Sequence, residues 1–235
     1  MALGAGIGII CKAPQPGRTK TRLAAMIGAE AAASLSACFL RDVAATIGEL
    51  PACVDYKPYA VYAPAGAERA IRELLPPSFG LLLQVDAELG KVLLGATRDL
   101  LAAGHDCVVL VSGDSPTLPS SLVRAAIEAL RRPGDRLVLG PASDGGYYLI
   151  GLKVPHQRVF SDIPWGTDKV ARLTLERASE IGLATICLPE WYDIDDAESL
   201  GWLRDELSGR SSRFRRGSSA RATRRYLAEM TIAAQ

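Results

Sequence analysis

The chain has 235 residues, 49% hydrophobic and 23% charged, with a formal net charge of +1. That balance suits a folded soluble protein with a sizeable core, and it excludes extended disorder and a globally basic nucleic-acid or membrane-surface binder. Five scattered cysteines and two isolated histidines exclude a zinc cluster and fit inert thiols in a reducing cytoplasm.

The N-terminus lacks the charged region and cleavage site of a secretory leader, and no apolar run approaches the ~18 residues of a membrane span. The first strand is expected at Gly6–Cys11 (GIGIIC), short, apolar and rich in β-branched residues. A Pro/Gly loop follows at Ala13–Thr19, then a helix over Glu30–Ile47. Val54–Tyr62 reads as a strand, Ala67–Leu75 as a short helix closed by two prolines, Leu81–Val85 as a strand and Leu89–Ala103 as a helix. Cys107–Val111 (CVVLV) has the unbroken apolar character of a central parallel strand. A helix over Pro119–Arg131, strands at Leu137–Gly140 and Tyr147–Leu152, a helix over Asp168–Ile181, a strand at Thr185–Leu188 and a helix over Asp196–Leu207 complete the alternation. Such alternation predicts an α/β fold with an open, mostly parallel sheet covered by helices on both faces. Residues 1–207 are expected to form the domain. Residues 208–235 are expected to add an Arg-rich connector and a last helix, Arg221–Met230, packed on it. Arg210, Arg213, Arg215, Arg216, Arg221, Arg224 and Arg225 could bind nucleic acid, but a solvated connector is the favoured reading, so no nucleic-acid partner is expected.

Ligands of such sheets bind beyond the carboxyl ends of the strands, and the unusual polar residues cluster there. Lys12, Arg18, Lys20 and Arg22 share one loop with Pro14 and Gly17. Stiffening prolines, a permissive glycine and dense cations make a concave anion site, or else a solvated basic turn. Asp114 follows the central strand directly after Ser112 and Gly113. It suits a Mg²⁺ ligand, or equally a turn or cap before the next helix. Asp193 and Asp195 are two apart and share a face if extended, which leaves Asp196 to start a helix. Asp144-Gly145-Gly146 reads as cleft lining or as a hairpin turn. Trp165 looks exposed before a helix that Thr167 could cap, and Gly4, Gly6 and Gly8 precede or lie within the first strand, where they are a weak dinucleotide signal.

The motifs K-x-P-x-P-G-x-x-K-T-R-L, G-D-S-P-x-L, G-P-A-x-D-G-G-Y-Y-L-I-G-L and W-G-T-D together resemble bacterial transferases of the glycosyltransferase-A-like superfamily, of the radical-SAM/selenodomain-associated or arsenosugar type. More distantly the chain is similar to 2-phospho-lactate and molybdenum-cofactor guanylyltransferases and to sugar-acid cytidylyltransferases. The resemblance implies a three-layer, Rossmann-like nucleotide-diphospho-sugar transferase fold. It implies that Lys12, Pro14, Gly17, Lys20, Arg22 and Ser112 contact the nucleotide phosphates. It implies further that Asp114 and Asp195, helped by Asp193, hold Mg²⁺ or Mn²⁺, and that Asp144, Gly145, Gly146 and Trp165 line the acceptor side. Lys20, Arg22 and Asp144 are the implied catalytic residues. Two positions depart from the pattern: Leu89-Gly90-Lys91-Val92-Leu93 lacks an expected Arg, and the late Asp193–Leu200 segment lacks the usual Thr-Pro. The expected activity is nucleotidyl transfer from an NTP donor to a small acceptor bearing a phosphate or phosphonate. Glycosyl transfer from an NDP-sugar and a non-catalytic nucleotide-binding module are the alternatives.

Overall fold

A computed structural model describes residues 3–85, 87–210, 214 and 217–233. Arg213, Arg215 and Arg216 of the Arg-rich segment lie outside these described residues.

The strands are β1 (Ala5–Lys12), β2 (Tyr56–Ala63), β3 (Gly80–Leu83), β4 (Val108–Ser112), β5 (Arg136–Pro141), β6 (Tyr147–Leu152) and β7 (Ala184–Cys187). They form one seven-stranded sheet in the order β3-β2-β1-β4-β6-β5-β7. Every pairing is parallel except the two made by β6. The helices are α1 (Thr21–Ile27), α2 (Ala29–Gly48), α3 (Glu68–Arg72), α4 (Leu89–Ala102), α5 (Ser120–Arg131), α6 (Val170–Glu180), α7 (Ala197–Ser208) and α8 (Arg221–Ala233), with a 3-10 turn at Gln157–Phe160.

β1 and β4 sit centrally because their residues are apolar on both faces. Ile7 and Ile9 are fully buried, as are Val108 and Val109. One face packs Leu35, Phe39 and Val43 of α2 with Val123 and Ile127 of α5 and Leu203 of α7. The other packs Leu93 and Leu100 of α4 with Phe160 of the 3-10 turn and Ala178 of α6. Burying each such side chain contributes roughly 1.5–3 kcal/mol. A Cβ on Gly8 would lie 2.8 Å from the side chains of Leu110 and Val61. This glycine therefore serves close packing across the sheet, as its place inside the first strand suggests.

Two helical features differ from the sequence reading. α1 has no counterpart there, because Gly28 at φ 86 divides a short Ala/Met-rich turn from α2. α2 itself is long and apolar enough by composition to cross a membrane, contrary to the expectation that no run would be, but 67% of that window is buried inside the fold. Its buried Asp42 caps the far end of the chain: the carboxylate accepts from the backbone N–H of Ala222 and Thr223 at 2.9 and 2.8 Å, at the start of α8. A carboxylate at a helix N-terminus satisfies orphan donors and favours the dipole. That contact ties α8 onto α2.

Candidate active site

Three segments meet beyond the carboxyl edge of β1, β4 and β5, around a cavity of about 660 Å³. The first is the loop after β1. Arg18 and Thr19 both donate backbone N–H bonds to Gln15 O at 3.1 Å, and the Thr19 hydroxyl accepts from Gln15 N at 2.9 Å, which closes a compact turn. Gly17 supplies the positive φ of 75 that this turn needs. Lys20 then takes a left-handed conformation, φ 51 and ψ 51, at the start of α1. That is uncommon for a residue with a side chain and marks a position held by its surroundings.

The surroundings are two carboxylates. The Lys20 ammonium lies 2.9 Å from Asp114 Oδ2 and 2.6 Å from Asp195 Oδ1, and the lysine side chain is only 5% exposed. Burial opposes its charge, but the attraction of Asp114 and Asp195 outweighs this and raises its pKa above the ordinary lysine value, so Lys20 stays protonated. Arg22 reaches the other oxygen of Asp195 at 3.4 Å from an exposed position.

Asp114 and Asp195 are brought side by side by the backbone. Gly113 N donates to Ile10 O at 3.1 Å, and Ile194 N donates to Asp114 O at 3.0 Å. The segment before Asp195 also pairs with the end of β5: Trp191 N donates to Pro141 O and Ser143 N to Trp191 O, at 3.1 and 3.0 Å. Ile194 is fully buried, while Asp193 and Asp195 both line the cavity. The i, i+2 pair thus faces one side, as an extended segment requires. Asp196 leaves the cavity and caps α7 in a reciprocal capping box with Ser199. Among the described residues, no group of three or more His, Cys, Asp or Glu is gathered closely enough to hold a metal ion.

Asp193 carries the cost of this crowding. Burial and the nearby carboxylates of Asp144, Asp195 and Asp114 push its pKa up to about 7, against the opposing pull of Lys20. Its charged form is therefore disfavoured in the folded state, and the fold loses stability as pH rises from about 4, where the unfolded group ionises, through 7. Metal-free Asp193→Asn is expected to be more stable than the wild type at pH 8, by roughly 1–3 kcal/mol. The gap should shrink as pH falls from 7 towards 4. Urea unfolding in chelator across that range reads it, and a gap that widens as pH falls would contradict it.

Lys12, Lys20, Arg22, Ser112, Asp114, Asp144, Gly146, Trp165, Asp193 and Asp195 all border the cavity. Pro14 and Gly17, expected to contact phosphates, and Gly145, expected on the acceptor side, do not border it. Gly145, at φ +88, lies so close to the chain before α6 that a Cβ would sit 2.2 Å from Asp168 O. Gly145→Ala is expected to cost about 2–4 kcal/mol in urea unfolding, with nucleotide affinity unchanged if the variant folds. A neutral effect on stability would contradict that packing.

Ser112 uses its hydroxyl to accept from Asp114 N at 3.1 Å, so it steadies the turn that presents Asp114. Thr167 is not the cap of α6, whose N-cap is Lys169. The Thr167 hydroxyl bonds Pro164 O at 2.8 Å instead. Trp165, expected to be exposed, is half-buried and meets Tyr147 edge to face at 6.3 Å. The sequence reading passed over Asp168 and Gln84, which also border the cavity. Asp168 stands in the W-G-T-D motif but reads as a helix start. Gln84 donates to the carbonyls of Cys11 and Val61 at 2.9 and 2.7 Å, a long-range pairing with no local signal.

A family described as uncharacterized protein conserved in bacteria (DUF2064) matches residues 46–167. The chain belongs to that family. The matched span holds Asp114, Asp144 and Trp165, and excludes the basic loop and the Asp193–Asp195 pair. No curated protein matches. Among solved structures, the chain is 30% identical to a Desulfovibrio desulfuricans G20 protein provisionally named a nucleotide-diphospho-sugar transferase, with a TM-score of 0.81, covering 99% of this chain and 98% of that one. It also shares its fold with CMP:2-keto-3-deoxy-manno-octonic acid synthetase complexed with CTP, at 13% identity and a TM-score of 0.54, covering 88% and 99%. A cytidylyltransferase of Leptospira borgpetersenii serovar Hardjo-bovis (strain JB197) is similar at 12% identity and a TM-score of 0.56, covering 97% and 95%. The three-layer α/β architecture with its mostly parallel sheet is thus that of nucleotidyltransferases and nucleotide-diphospho-sugar transferases.

Proposed function

We propose that the protein is a nucleotidyltransferase that takes its nucleotide from an NTP. One observation carries this reading: a buried, protonated Lys20 is fixed between two aspartates at the carboxyl edge of the sheet, in a segment, residues 12–22, that also brings Lys12, Arg18 and Arg22 to the cavity. Four cations on one short segment suit a triphosphate, with Arg gripping phosphate in a bidentate manner and Lys acting as a point charge. An acceptor oxygen would attack the α-phosphorus, the bond to the β-phosphate oxygen would break, and pyrophosphate would leave. Negative charge building on the phosphoryl oxygens would be met by Lys20 and Arg22. The proton of a hydroxyl acceptor would pass to Asp144, which borders the cavity and holds its own turn through Gly146 N at 2.8 Å.

Mg²⁺ or Mn²⁺ fits the residues present. Asp114 and Asp195 already converge on one cation, and hard divalent ions take one or two carboxylates plus substrate phosphates. Asp193 would stand beside them. When bound, the ion would add Lewis-acid stabilisation of the phosphoryl oxygens. The fold shared with a synthetase bound to CTP supports the nucleotide donor.

Glycosyl transfer is the second reading, favoured by the name of the D. desulfuricans relative. In that reaction Asp144 would deprotonate an acceptor hydroxyl and the nucleoside diphosphate would leave. Product analysis with labelled donors separates the two. Pyrophosphate released from an NTP is the expected result, and NDP released from an NDP-sugar without any pyrophosphate would replace the first reading by the second.

A further inference from the structure

The cations of the cavity are confined to one segment, whereas its carboxylates are not. All of its cations, Lys12, Arg18, Lys20 and Arg22, come from residues 12–22, from the end of β1 through the first turn of α1. Asp114 and Asp195 line it on Lys20 itself, while Asp144 and Asp168, both exposed, form no ion pair among the described residues, and no Lys or Arg described outside residues 12–22 lines the cavity. The wall on the side of Asp144 and Asp168 is hydrocarbon. Leu89 opens α4 with 42% of its surface exposed, and Leu93 lies one turn further on. Tyr147 and Trp165 are each partly exposed, yet the Tyr147 hydroxyl and the Trp165 indole N–H are both buried. What these two rings show to the cavity is therefore carbon. Gly90 makes the arrangement possible, since a Cβ there would lie 2.8 Å from Trp165 Cζ2 and from Phe160 O.

We propose that the second substrate is a neutral or cationic molecule with an apolar body, seated on Leu89, Leu93, Tyr147 and Trp165 with its polar end towards Asp144 and Asp168. This rests on the nucleotide-transferase reading, in which the basic loop holds the donor phosphates. An anionic acceptor would face the carboxylates of Asp144 and Asp168, neither of them ion-paired among the described residues, and like-charge juxtaposition works against binding. An apolar body would instead remove the exposed carbon of Leu89 and the rings from water. The phosphate- or phosphonate-bearing acceptor expected from the sequence resemblance fits this wall poorly.

The test uses three matched probes, 2-phenylethanol, 2-phenylethylamine and 2-phenylethyl phosphate, titrated calorimetrically into the full-length protein with and without a saturating NTP and Mg²⁺. The alcohol and the amine are expected to bind at least about tenfold more tightly than the phosphate, with the NTP already in place. Leu89→Gln, at an exposed position, should weaken the alcohol about five- to tenfold, and Asp168→Asn should narrow the gap to the phosphate. Tighter binding of the phosphate overturns the proposal, as does failure of all three probes to bind. Displacement of the alcohol by the NTP also overturns it, because the wall would then hold the nucleobase. Binding of the NTP is recorded in the same experiment, so failure of the donor site is distinguishable from failure of this inference.

Discussion

Lys20→Met is expected to reduce turnover by about 10²–10³-fold, the loss typical of removing one preorganised group from the place where charge develops. The substitution keeps an unbranched stem without the ammonium and adds no backbone penalty, because any residue with a Cβ shares the cost of φ 51 at this position. Asp114 and Asp195 are 41% and 36% exposed, so water can take up much of the charge that Lys20 leaves behind, and the variant should fold. A second effect runs the opposite way. The ammonium stands 2.9 and 2.6 Å from the oxygens that would hold a divalent ion, and it competes for them. Without nucleotide, Lys20→Met should therefore bind Mn²⁺ at least about tenfold more tightly than the wild type. Electron paramagnetic resonance of free Mn²⁺ reads this without any turnover. Mn²⁺ affinity that stays equal or falls would show that lysine and metal do not share the two aspartates.

Asp114→Asn should have the other large effect. Turnover is expected to fall by at least about 10²–10³-fold, and nucleotide binding should lose its dependence on metal. The backbone of Asp114 is held by the Ser112 hydroxyl and by Ile194 N, and neither bond involves the carboxylate. Stability without ligand should accordingly stay within about 1 kcal/mol of the wild type, since Lys20 keeps Asp195. A variant that folds normally but retains metal-dependent turnover would remove Asp114 from the site.

How far this was legible in the sequence depended on the range of the interactions. β1 and β4 are readable because strands buried on both faces must be apolar throughout, and Ile7, Ile9 and Val108–Val111 are. Asp193 and Asp195 are readable as a pair because alternation in an extended segment follows from backbone geometry alone. The places where the reading failed are set by contacts distant in sequence. Gly145 looked like cleft lining, yet its need for glycine comes from the backbone of Asp168. Trp165 looked exposed because nothing local indicates that Gly90, distant in sequence on α4, leaves room for its indole. Lys20 carries no mark of its left-handed backbone, a conformation for which glycine or asparagine would be the usual sign. The Lys20–Asp195 contact joins residues 175 positions apart, so only the assembled sheet brings them together.

The most direct test of the central claim is thermal unfolding of the wild type and of Asp114→Asn with each common NTP, with and without Mg²⁺. The account predicts that at least one NTP stabilises the wild type only when metal is present, by about 2.7 kcal/mol at a hundred times its Kd, and that Asp114→Asn loses this shift. Stabilisation indifferent to metal and to Asp114, or no shift with any NTP, would contradict a donor site built on Lys20, Asp114 and Asp195.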